Sequence, residues 1–149
     1  MQEAVQYVKF IGEKMKRKLT LIIVCIAACL ALSACGAGGP SSTITVTLTD
    51  FQFAPNSFTI PAGREITFNA SNNGAVVHDF VIMKYGTTAG DKYDDEDAPN
   101  VYWKIELQPG ENTSATFIAP SEPGEYQVVC GTPGHIAAGM IAKLTVVAQ

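Results

Sequence analysis

The chain has 149 residues, 47% of them hydrophobic, with ten basic against fourteen acidic side chains and a formal net charge of −4. That length and hydrophobic share suit one globular domain with a packed core. The negative balance argues against a nucleic-acid partner, because phosphate binding needs clustered Lys and Arg.

The first thirty-four residues read as a leader rather than as part of the domain. Met15–Lys18 is a basic n-region and Leu19–Leu32 an apolar h-region. Because this signal is complete, Met15 is a candidate start, and residues 1–14 carry no assigned role. The apolar run is shorter than the roughly 20 residues of a membrane-spanning helix, which places an uncleaved anchor second to a leader that is cut. Leu32–Cys35, "LSAC", resembles the lipobox of bacterial lipoproteins. That resemblance implies cleavage before Cys35 and a lipid on its thiol. It also implies a location on the extracytoplasmic face of the cell membrane. Plain cleavage after Ala34 is the alternative. Gly36–Ser42 follows as a flexible tether reaching about 15 Å, so that residues 35–42 join the lipid to a domain at 43–149.

From Gly36 onward, five basic residues (Arg64, Lys84, Lys92, Lys104, Lys143) face twelve acidic ones, about −7. Direct adhesion to anionic lipid is disfavoured, and the membrane link falls to the acyl group. Cys25 and Cys29 lie in the leader, so Cys130 is the one cysteine left apart from Cys35. Disulfides therefore do not hold this domain, although an exported compartment permits them.

Alternation begins at Thr43: Ile44, Val46 and Leu48 on one side, threonines on the other. This is the period of a half-buried strand. Further strand-like runs cover residues 57–60, 65–70, 78–83, 101–107, 113–119, 124–129 and 142–148, separated by turn clusters such as "PAG", "SNNG", "QPGEN" and "SEPG". About eight short strands without a helical period predict an all-β sandwich. Its core is expected to include Phe58, Ile60, Ile66, Phe68, Phe80, Ile82, Phe117, Tyr126 and Val128. The acidic stretch Lys84–Asn100 lacks periodicity and reads as an excursion between strands, with room for a short helical turn.

Four donors stand out: His78, Cys130, His135 and Met140. Taken singly, Cys130 reads as a small buried hydrophobe, His135 as a loop residue, Met140 as core filler like Met83, and His78 as a strand-entry residue. Together they include both histidines of the chain and its one non-lipid cysteine. Two imidazoles and a thiolate in a plane, with a weak axial thioether, make the donor set of a type 1 copper site. Soft sulfur favours Cu(I) and imidazole accepts both oxidation states. A rigid set of this kind limits rearrangement as an electron arrives. Cys130 ends one strand, His135 and Met140 sit on the loop after it, and His78 is expected to come across from a separate edge.

Val128–Val147, "VVCGTPGHIAAGMIAKLTVV", resembles the copper loop of the cupredoxins, and its Cys-x4-His-x4-Met spacing that of the auracyanins. The resemblance continues through "FQFAPNSFTIPAGREITFNASNNGAVVHDFVIM", Phe51–Met83, and spans about Thr43–Val147. It implies Greek-key connections in the sandwich, and one copper ion held by His78, Cys130 and His135 with Met140 axial, cycling between Cu(II) and Cu(I). The auracyanin likeness implies a carrier of electrons between membrane complexes in phototrophic bacteria. Two positions depart from the common pattern. Asp79 stands where many cupredoxins have Asn, and Gly131 where they have Ser or Thr, so the usual side-chain bond between the two loops is not expected.

The expected role is a monomeric, membrane-tethered one-electron carrier. Its expected partners are redox proteins: cytochromes, a quinol-oxidising complex, a reaction centre or an oxidase. The electron is expected to pass at an exposed edge of His135, ringed by Pro133, Ile136, Ala137, Ala138, Ala75 and Val76. Weak redox encounters bury little area, and the run Asp91, Asp94, Asp95, Glu96 and Asp97 reads either as a solvated surface loop or as a patch that steers a basic partner. Enzymatic copper chemistry needs further centres and more histidines than this chain has. A copper storage or delivery protein is the alternative.

Overall fold

The computed structural model describes residues 39–149. The leader, Cys35 and the start of the tether lie outside the described residues. Ser41 and Ser42 already belong to the folded body: the Ser41 N–H donates to the Thr59 carbonyl at 3.0 Å, and Thr67 N–H to the Ser42 carbonyl at 2.9 Å.

Among the described residues, nine strands follow in order: β1 (Thr43–Thr49), β2 (Gln52–Ala54), β3 (Ser57–Pro61), β4 (Glu65–Asn72), β5 (His78–Met83), β6 (Val101–Leu107), β7 (Asn112–Ile118), β8 (Gly124–Val129) and β9 (Ile141–Val147). They form a four-stranded sheet, β2-β1-β4-β7, and a five-stranded one, β3-β9-β8-β5-β6. β1 runs parallel to β4 and β3 parallel to β9, while the remaining pairs are antiparallel. The all-β sandwich is as expected, with nine strands instead of eight. The extra one is β2, which at three residues is too short to show a period.

Alternation sets the core. Ile44, Val46 and Leu48 point inward from β1 while Thr43 and Thr45 are exposed. Every core residue expected from the pattern is buried, Phe58 through Val128. Phe80 is the hub: Phe68, Phe53 and Phe58 meet its ring at centroid distances of 4.8, 5.4 and 5.7 Å. Aromatic pairs in such tilted arrangements add to the energy of burial itself.

β5 is buried at all six positions. A strand covered on one face would alternate, so something must cover the other. That cover is the Lys84–Asn100 excursion. It ends in a short 3-10 turn at Ala98–Asn100, and it lays Ala89 and Tyr93 beside Val81, Met83, Val129 and Ile136 on the outer face of the sheet. Met83, read as core filler, is fully buried there.

Phe80→Ala removes the ring that three others pack upon. It is expected to cost about 3–5 kcal/mol in denaturant unfolding of the metal-free protein. Ile118→Ala, at a side chain 55% exposed, is expected to stay within about 0.5 kcal/mol of the parent.

Candidate metal centre

Antiparallel pairing of β5 with β8 aligns Val81 with Val129 and Ile82 with Val128. His78, at the start of β5, and Cys130, just past the end of β8, therefore stand at the same end of adjacent strands. They come from neighbours in one sheet, not from separate edges as expected. The next ten residues fold back as consecutive turns. His135 N–H donates to the Thr132 carbonyl at 3.1 Å, Met140 N–H to the His135 carbonyl at 2.9 Å, and Cys130 N–H to the Met140 carbonyl at 3.2 Å. The last bond closes the loop on its own first residue. Gly134 (φ 84°) and Gly139 (φ 93°) take the left-handed conformation that these reversals need.

Three donor atoms converge. His78 Nδ1 and His135 Nδ1 are 3.2 Å apart, and Cys130 Sγ lies 3.3 Å from His135 Nδ1 and 3.7 Å from His78 Nδ1. All three residues are buried. Donors bonded at about 2.0–2.3 Å to a shared ion, spread in a plane, stand about 3.5–3.7 Å apart, so the set fits one first-row cation with little adjustment. Met140 is fully buried in the same apolar cluster as Cys130. The donor chemistry, two imidazoles with a thiol and a thioether on the closing loop, selects copper among such ions.

Burial is the first cause holding the His135 imidazole below its ordinary value of 6.5, and repulsion from His78 is the second. A base whose value falls on folding binds fewer protons when folded. Its contribution to stability is then complete above the unfolded value and declines as pH drops below it.

Asp79 is buried, and its backbone N–H donates to Cys130 Sγ at 3.3 Å. Its carboxylate Oδ1 lies 3.1 Å from Lys104 Nζ on β6 but accepts no well-directed hydrogen bond. Charge holds the pair. Lys104 in turn sits 5.5 Å from the centroid of the Tyr93 ring. A Cβ on Gly131 would come within 2.9 Å of Asp79 Oδ2 and 3.1 Å of Tyr93, so Asp79 and Gly131 are matched: the carboxylate and the ring fill the space a side chain would need. Gly131 has no side chain to bond across, and Thr132 links the two loops, donating from Oγ1 to the Val77 carbonyl at 3.0 Å. Thr132, Tyr93 and Lys104 carried no sequence signal as site residues.

The rim of the site is in part as expected. Pro133, Ala137, Ala138, Ala75 and Val76 are exposed. Ile136 is not: it turns inward to the cluster under Tyr93, 6% exposed. His135 itself is only 6% exposed, and the ring of Phe51 meets it at a centroid distance of 5.1 Å. On the excursion, Asp94 and Asp97 accept backbone N–H groups of their own turn, and Asp94 pairs with Lys92 at 2.7 Å.

Two outcomes follow from this geometry. Lys104→Met strands a buried carboxylate, at an expected cost of about 1–3 kcal/mol, moderated because Lys104 is partly solvated; the double variant with Asp79→Asn recovers most of that loss in the same unfolding assay. Thermal unfolding of the metal-free protein is expected to show the melting temperature falling as pH is lowered through and below about 6.5, with His135→Gln flattening the profile.

A family model described as the cupredoxin-like domain matches residues 22–143. Auracyanin-B of Chloroflexus aurantiacus is 36% identical over 110 residues, 63% of this chain and 46% of that protein. The copper-resistant cuproprotein CopI of Rubrivivax gelatinosus is 29% identical over 111 residues, 70% of this chain and 66% of that one. The chain thus spans about half to two thirds of these relatives' lengths. The crystal structure of dithionite-reduced auracyanin from Roseiflexus castenholzii superposes with a TM-score of 0.63 at 29% identity, covering 73% of this chain and 99% of that one. The chain belongs to the cupredoxin family, resembles its auracyanins in particular, and takes one type 1 copper ion as its cofactor.

Proposed function

We propose that this protein is a one-electron carrier whose copper would be held by His78, Cys130, His135 and Met140. The observation that carries this reading is the convergence of two imidazoles and one thiol within 3.7 Å in a buried pocket. When bound, copper supplies a Cu(II)/Cu(I) couple of one electron. The chain's part is to hold the donors still. Cys130 is fixed by backbone bonds from both its own loop and Asp79, and His78 by a strand buried throughout. Donors so restrained change little in position between oxidation states, which keeps the cost of each transfer low.

Both histidines of the chain are in this one site, leaving none for the second centre that a copper oxidase uses. The carrier reading assigns the chain no catalysis of its own. Exchange with a partner takes place across the small apolar rim of Phe51, Ala75, Val76, Pro133, Ala137 and Ala138, at the end of the sandwich where His135 lies. Such a rim suits brief docking of a cytochrome or membrane redox complex by a monomer. The lipid on Cys35 keeps the domain at the extracytoplasmic membrane face, and Cys35→Ala is expected to release it to the soluble fraction.

Copper storage or delivery is a second reading, favoured by the likeness to a copper-resistance protein. One experiment separates the two. The copper-loaded protein is expected to show an intense thiolate-to-copper charge-transfer band, absent in Cys130→Ser, that bleaches on reduction and returns on reoxidation without loss of metal. Metal released at each reduction favours delivery, and a colourless copper-loaded protein overturns the assignment.

A further inference from the structure

The turn between β1 and β2 is only two residues, Asp50 and Phe51, since Thr49 pairs with Gln52. Turns this tight favour Gly, Asn or Asp where φ is positive. Phe51 has φ 67°, and no other non-glycine among the described residues has a positive φ. A bulky side chain there is an outlier, and backbone strain of this kind collects at functional sites. Core packing does not account for it, because the ring is 46% exposed.

What the turn does touch is both imidazoles. The Phe51 ring meets His135 at 5.1 Å with the planes 85° apart. Asp50 Oδ1 lies 3.4 Å from His78 Nε2, opposite the nitrogen that faces Cys130, and accepts the Ala75 N–H at 3.0 Å. The loop before β5 is cut back to admit this contact. A Cβ on Gly74 would come within 2.6 Å of Asp50 Oδ1 and of His78 Nε2 alike.

We propose that the β1–β2 turn is a clamp on the copper centre, with Asp50 and Phe51 as positioning residues for its two histidines. The proposal rests on the copper reading above. The Asp50 carboxylate accepts the His78 Nε2–H, which fixes the ring with Nδ1 toward Cys130 and makes it a stronger donor. Its negative charge favours the more positive cupric state and so lowers the reduction potential. Phe51 covers His135 against water. Water also favours the cupric state, so this cover raises the potential. The two residues of one turn act on the same centre in opposite senses, and the strain at Phe51 is what places a ring, and not a glycine, over His135.

The test is voltammetry and visible spectroscopy of the copper-loaded full chain, with melting of the metal-free form as the folding control. Asp50→Asn keeps the shape and an acceptor oxygen but removes the charge, and is expected to raise the potential. Phe51→Ala is expected to lower it, and Phe51→Leu, which keeps an apolar cover, to restore most of the difference. Phe51→Gly is expected to match the lowered potential of Phe51→Ala while melting higher, since glycine accepts the left-handed backbone. An intact charge-transfer band with potentials unchanged in both Asp50→Asn and Phe51→Ala overturns the clamp. Absence of that band in the parent protein overturns the copper reading instead.

Discussion

The register of β5 against β8 is the constraint on which the rest depends. Pairing Val81 with Val129 puts the first residue of one strand and the first residue past the other at one end of one sheet. A shift by one residue would turn Cys130 to the opposite face and out of reach of His78, because strand side chains alternate. The register is held from both faces. Phe80 and Val128 lock it from the inner core, and Val81 and Val129 lock it under the excursion. Apolar packing from Phe80 to Met83 thus specifies the position of a polar atom at the start of β5.

That arrangement carries a cost. Two imidazoles and a thiol face each other in a buried space, with close contacts among themselves and few other partners. Burial of polar groups disfavours the folded state unless their bonding is satisfied. A cation satisfies all three at once, and the surrounding backbone bonds mean that little has to move to receive it. The excursion, which the sequence pattern marks only as acidic and aperiodic, takes part in this. Through Ala89 and Tyr93 it seals the outer face, and through Tyr93 it packs on Gly131 and Lys104.

The departures from the common cupredoxin pattern are coupled, not independent. Asp79 brings a buried carboxylate beside Cys130, Lys104 pairs with it from the neighbouring strand, and Gly131 makes the room. The link between the two ligand loops moves to Thr132 and the Val77 carbonyl.

The amino-acid sequence by itself determined the sandwich, the core positions and the four candidate donors. Those features are local: alternation within a strand, turn residues between strands, and soft donors at fixed spacing on one loop. The three-residue β2 was too short to leave a period, and Ile136, expected on the exposed rim, turns inward because the excursion gives it something to pack against. Asp50, Phe51, Tyr93 and Lys104 were silent because each acts on a residue far away in the chain, and no spacing encodes such contacts. Only the tertiary structure decided that one turn touches both histidines and that His135 is buried, because these depend on how two sheets and an excursion close around a common end.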